Sequence, residues 1–275
     1  TEMIFEKNPN IFIKSVEITS SRSPGLKDIE SARELILDYI NMATSPYNPR
    51  GLPSIDPILI LHEFGRNSNV ELVPHISPRD GNKLMIISRV VTSLKVGIKS
   101  FLVLRGDSIN PRIGSEPVDE IDTIGLMKYL KENEYLKEIS SKFGMDINIG
   151  GISNPHRGNE QEVLNAKIAA GCSFFITHSI YDPEVLKHDW IKHRKFKLIA
   201  GFIPILKKAS LDFYRDLDLN IPDNLLEKME NSADLENLFF NLIVNSIDEL
   251  KGYIDGIHLM PIGKYKFARK VLEVI

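Results

Sequence analysis

Residues 97–108 read GIKSFLVLRGDS, an apolar run from Phe101 to Leu104 set between a glycine and the charged triplet Arg105-Gly106-Asp107. Gly97 closes the amphipathic stretch KLMIISRVVTSLKVG, as a glycine does at a helix C-cap. The run after it is short and apolar throughout, which predicts a strand buried on both faces, as in a parallel sheet. An RGD on an exposed loop is an adhesion ligand; behind a buried strand the same letters are carried toward the interior of the fold.

Working outward from this unit, the same alternation recurs. Predicted strands are IFIKSVEIT (11–19), INMAT (40–44), VELVPHIS (70–77), SFLVLRGD (100–107), INIGGIS (147–153), FFITHSI (174–180), KLIAGFIPI (197–205) and GIHLMPI (256–262). Between them lie helical patterns: LKDIESARELILDYI, DPILILHEFG, KLMIISRVVTSLKVG, DTIGLMKYLKENEYLKEI, EQEVLNAKIAAG, EVLKHDWIKH, ASLDFYRDL with LEKMENSADLENLFFNLIVNSIDEL, and YKFARKVLEVI. Gly144 and Gly171 repeat the C-cap role of Gly97. Strict alternation over about 250 residues predicts a single-domain α/β protein, a (β/α)8 TIM barrel from residue 1 to 275. A doubly wound open sheet is the competing architecture, but no GxGxxG follows the first strand.

Composition narrows the function classes. A hydrophobic content of 43% is ordinary for a globular chain, and a net charge of −3 supplies no basic field for nucleic acid or acidic membranes. No apolar run has the length of a membrane span, and TEMIFEKNPN has no signal-peptide character. Cys172 is the only cysteine, so no internal disulfide can form and a reducing, cytoplasmic setting is expected.

A barrel of this kind works at the carboxyl ends of its strands. Those ends carry Glu17, Thr44, His75, Asp107, Asn154, His178 and Pro204. Glu17, bracketed by Val16 and Ile18, alternates toward the lumen if its neighbours face the helices. Desolvation there would raise its pKa and suit it to general acid work, with a rim salt bridge as the plain alternative. His75 and His178, taken singly, read as structural histidines, and Asp80 of PRDGN reads as a helix cap. His62-Glu63 lacks a second histidine, and His188 and His193 lie five apart, so no metal site is expected.

Taken in order, these strand exits resemble the methylenetetrahydrofolate reductase family, in its short single-domain form. PHISPRDGNKL (74–84) and GIKSFLVLRGDS (97–108) carry the resemblance most specifically. PVDEIDTIGLM (117–127), THSIYDPE (177–184), LIAGFIPILKKA (198–209), IPDNLLEKM (221–229) and GIHLMPIGKY (256–265) extend it. The resemblance implies a flavin in the barrel mouth, FAD by family default with FMN as the alternative. It implies reduction of a methylene group on a folate or related pterin to a methyl group, in one-carbon and methionine metabolism. By the same resemblance Glu17 supplies or relays the proton that opens the bridging methylene to an iminium, and reduced flavin delivers hydride.

The remaining residue roles are likewise implied by the resemblance. Asp107 is the acid near the flavin ring, favouring the cationic iminium, a role that requires it to be sheltered. Thr44, His75, Arg105 and Gly106 line the flavin, and Gly106 would let the backbone pass close to a flat ring. Asp122 and Thr123 lie near the dinucleotide part, and Asn154, Arg157 and Lys167 near phosphate and adenylate; a solvated helix charge is the plain reading of Lys167. Substrate contacts fall to Glu17, His178 and Tyr181. His178 stands where many relatives carry glutamine, which leaves room for another pterin C1 carrier. Leu206-Lys207-Lys208 offers no aromatic to stack on nicotinamide, so the donor is NAD(P)H, another donor or a partner protein. Self-association is common in such barrels, and the chain would lack the regulatory domain of longer relatives. A flavin- or pterin-binding barrel serving as a subunit or scaffold is the second function class.

Overall fold

The computed structural model describes residues 8–210 and 219–275. Eight parallel strands close in chain order into the expected barrel. They are β1 (Ile13–Glu17), β2 (Met42–Ser45), β3 (Glu71–Ile76), β4 (Ser100–Val103), β5 (Asn148–Ser153), β6 (Cys172–Ser179), β7 (Lys197–Phe202) and β8 (Gly256–Leu259). The outer ring runs α1 (Lys27–Ile36), α2 (Pro57–Gly65), α3 (Lys83–Lys95), α4 (Thr123–Glu132), α5 (Glu134–Phe143), α6 (Glu160–Ala169), α7 (Asp189–Lys192), α8 (Asp223–Asn231), α9 (Leu235–Glu249) and α10 (Tyr265–Leu272).

Period-two alternation sorts the strand residues into two cores. Ile13, Met42, Val73, Leu102, Phe174, Ile176 and Ile199 fill the lumen. Val16, Ala43, Phe101, Val103, Phe175, Leu198 and Ile257 face outward into the layer packed by the helices. Because Ile13 faces the lumen, so do Ser15 and Glu17, two and four residues on. Gly150 has no Cβ because the Phe174 ring occupies that space; a Cβ would lie 2.2 Å from its Cζ.

Several expected elements differ, the strands over 197–205 and 256–262 ending early at Phe202 and Leu259. β4 ends at Val103 rather than Asp107, since only Leu104 still donates to β3, at Ile76 O. The helix expected over DTIGLMKYLKENEYLKEI is two helices broken at Asn133, whose side chain accepts from Leu136 N and caps the second. EVLKHDWIKH forms a 3-10 turn (Pro183–Leu186) and the single-turn α7. The long helix after IPDN is split between α8 and α9, where Asp234 accepts from Asn237 N. Most of ASLDFYRDL lies outside the described residues. Gly97, Gly144 and Gly171 follow their helices at φ 85°, 63° and 96°.

Candidate active site

A cavity of about 320 Å³ opens at the carboxyl ends of the strands. Its walls differ by side. Glu17, His75 and His258 come from β1, β3 and β8, whereas Leu102, Leu104, Ile152 and Ile176 make an apolar wall along β4 to β6. Small-molecule sites have this composition, a mostly apolar concavity with few convergent polar groups.

Glu17 is partly open to the cavity and otherwise enclosed by protein. Burial of the charged form raises its carboxyl from 4.5 to about 7. The floor beneath is polar but uncharged. Burial pushes His75 down to about 3, and burial with the neighbouring His75 does the same to His258. His258 Nδ1 is 2.9 Å from Ser15 Oγ, and its Nε2 is 3.5 Å from Thr44 Oγ1. His75 Nε2 is buried without a hydrogen-bond partner. A buried polar atom left open costs roughly 1–3 kcal/mol, and His75, which carries it, lines the cavity.

The RGD segment is organised by a buried arginine that sequence reading passed over. Arg79, 3% exposed, donates to both Asp80 carboxylate oxygens at 2.7 and 2.8 Å. Its remaining guanidinium donors reach Asn48 O at 3.1 Å and Asp107 O. One side chain therefore joins the loops after β2, β3 and β4. Asp80 is its ion-pair partner and not the expected helix cap; Asn82 caps α3 by accepting from Met85 N. Gly106 has φ 79°, and a Cβ there would approach Arg79 Nη1 to 3.1 Å. The turn over the guanidinium, together with the left-handed backbone, accounts for glycine at this position.

Asp107 lines the cavity but is exposed, a correction to the sheltered position expected for it. Its Oδ2 turns across to accept from Arg50 N at 2.6 Å, tying the β2 and β4 loops. Asn110 N donating to Gly51 O at 3.1 Å closes the same seam. Arg105 points outward, its side chain 77% exposed and 3.5 Å from Asp119.

His178 reaches the cavity on an irregularity of β6. Burial and then Arg157, Lys167 and His156 lower its pKa, with Asp107 opposing them. Thr44 sits fully buried in the floor beside His258. Several other expected site residues are not brought to the cavity. Asp122 is exposed and caps α4 through Gly125 N, with Thr123 the first residue of that helix. Asn154 accepts from His156 N, Arg157 pairs with Glu160 at 3.0 Å, and Lys167 donates to Ile152 O. Tyr181 packs in the outer layer against Phe239, its hydroxyl donating to Ile203 O. His258 and Arg79 are among the polar residues missed, with Tyr47, Asn48, Thr177, Ser179 and Asn220 of the cavity lining. The alternation that points Glu17 inward also points His258 inward between Ile257 and Leu259, so that signal was present.

No curated protein sequence matches this chain. Among solved structures, it is similar to 2,3-dimethylmalate lyase, at 12% identity and TM-score 0.54, over 98% of this chain and 82% of that one. It is also similar to a tryptophan synthase complex from Pyrococcus furiosus, at 13% identity and TM-score 0.51, over 96% of each chain. At such identities these likenesses speak for the barrel alone. The family described as Methylenetetrahydrofolate reductase matches residues 47–275, from the β2 loop to the end; β1 with Glu17 lies before the matched stretch. The chain belongs to the methylenetetrahydrofolate reductase family.

Proposed function

We propose that the chain reduces a 5,10-methylene-tetrahydropterin, folate or a related C1 carrier, to its 5-methyl form with a bound flavin. The observation that carries this reading is a cavity-facing carboxyl that titrates near 7, Glu17, above a floor of neutral imidazoles. A group with that pKa is half-protonated at neutrality and suits general acid catalysis. Glu17 donates its proton to the bridging amine nitrogen of the substrate as the methylene opens to an iminium. His178, whose burial disfavours the charged form, offers one donor and one acceptor to the pterin edge as the neutral imidazole.

The residues present fit a flavin. The apolar wall of Leu102, Leu104, Ile152 and Ile176 suits the hydrocarbon part of a flat ring system, and the orphaned His75 Nε2 suits its polar edge. Arg157 and Lys167 lie outside the cavity but near enough to act on His178, and positive charge on that side suits phosphate, in FAD or FMN. The flavin, when bound, supplies the hydride chemistry that amino-acid side chains lack. The electrons such a flavin would need come, in this reading, from NAD(P)H or another electron donor. Cys172 is a lone buried thiol raised to about 12, in keeping with a cytoplasmic enzyme that needs no disulfide.

The test is a single turnover. Bound flavin is reduced anaerobically and mixed with 5,10-methylenetetrahydrofolate; reoxidation with formation of methyl product is expected. Glu17→Gln should keep flavin bound and lose the reoxidation. Absence of reoxidation with any methylene-pterin refutes the proposal, and a fully active Glu17→Gln refutes the role of Glu17.

A further inference from the structure

β1 outruns its neighbour β8. Val16 pairs with Leu259, the last residue of β8, whereas Glu17 pairs only with Thr44 on β2. Ile18 N donates to Thr44 O at 2.7 Å, which continues the β2 side. On the other side the ladder has run out, and the chain leads within a few residues to the exposed stretch from Ser21 to Gly25. Backbone groups at such an edge require another partner.

Tyr265, the first residue of α10 and 7% exposed, supplies it. Its hydroxyl accepts from Thr19 N at 2.8 Å and donates to Thr19 O at 3.2 Å. One phenol thus stands in for the rung that β8 does not provide, two residues beyond Glu17. Tyr265 does not line the cavity, so any effect it has on chemistry passes through β1.

We propose that Tyr265 is a positioning residue: by clamping Thr19 it holds the end of β1 against the barrel and keeps the Glu17 carboxyl walled in. The inference rests on the reading of Glu17 as the proton donor. Electrostatics agree with the proximity. Burial raises the Tyr265 phenol, the Thr19 hydrogen bonds draw it back, and negative charge on Glu17 and Asp28 raises it again. The other titratable groups around the cavity are Tyr47 from the β2 loop, His258 from β8, His75 from β3, Asp107 from the β4 loop and His178 from β6. None of these is altered in the test.

The test uses Tyr265→Phe in the full chain, with the Glu17 carboxyl followed by infrared titration and identified by its loss in Glu17→Gln. The midpoint should fall from about 7 by about one pH unit or more, as water reaches the freed strand end. Amide exchange at Thr19 should quicken by about fivefold while Ile18, held by Thr44, is unchanged. A midpoint that stays in place overturns the proposal even if Thr19 exchanges faster. Should Tyr265→Phe fail to fold, the Thr19 amide resonance of the unaltered protein is followed against pH. It should titrate with the Glu17 midpoint and cease to do so in Glu17→Gln; no response overturns the proposal. Both readouts are independent of turnover, so a protein inactive on methylene-pterins would sink the functional reading and still judge the clamp.

Discussion

Glu17 serves the proposed chemistry at the expense of the fold, and that conflict can be measured without substrate. In the unfolded chain its carboxyl has the ordinary value of 4.5, and in the barrel about 7. Below 4.5 both states hold the proton and burial carries no charge penalty. Between 4.5 and about 7 the unfolded chain ionises while the folded one keeps its proton, so stability falls as pH rises. Above 7 both are ionised and the full penalty applies, at roughly 1.4 kcal/mol per pH unit of displacement, or about 3 kcal/mol. Glutamine has nearly the shape of the protonated side chain and cannot ionise. Glu17→Gln should therefore match the parent protein in urea unfolding at pH 4.5 and exceed its stability at pH 8.5 by about 3 kcal/mol. A difference that is the same at both pH values would refute the claim that desolvation of the charged form raises the pKa.

The histidine floor gives the opposite slope: with a folded value near 3, His75 resists protons that the unfolded chain accepts below 6.5. His75→Leu should resist acid better by about 2 kcal/mol at pH 5 in denaturant titrations, yet bind flavin more weakly by fluorescence titration if Nε2 is a cofactor contact. Arg79→Gln breaks a buried pair and should destabilise by roughly 3–5 kcal/mol, with faster amide exchange in the β2 and β4 loops; a loss under about 1 kcal/mol would contradict the clamp. Gly51→Ala and Gly114→Ala share the strain of a left-handed backbone, φ 63° and 67°, about 1 kcal/mol each. Only at Gly51 does the new Cβ fall 2.0 Å from Ser108 O, so the urea midpoint should drop far more for Gly51→Ala.

Much of the barrel was legible because its signal is local. Phe101 to Val103, Phe174 to Ile176 and Leu198 to Ala200 are apolar on both faces, and only a strand between two packed layers uses such a run. Helix breaks were less legible. Asn133 reads as one more polar residue on a helix surface until its side chain is seen capping the next helix. Among site residues, Glu17 followed from the alternation of its neighbours. His258 followed from the same rule and was overlooked.

What lay beyond the sequence was every relation between loops. Nothing local in LRGDS says that Asp107 turns to Arg50 N, or that the Arg79 guanidinium passes under Gly106 to bind Asp107 O. Those contacts join residues far apart in the chain, and each exists only once closure of the barrel sets the strand ends side by side. The sequence by itself determined that eight strands alternate with helices, which strand residues alternate toward the lumen, and that a carboxyl and imidazoles gather at the strand ends. Tertiary structure alone decided their ionisation, because desolvation depends on the walls that other strands supply. It alone also decided that the RGD is a loop fastening with its arginine turned to solvent.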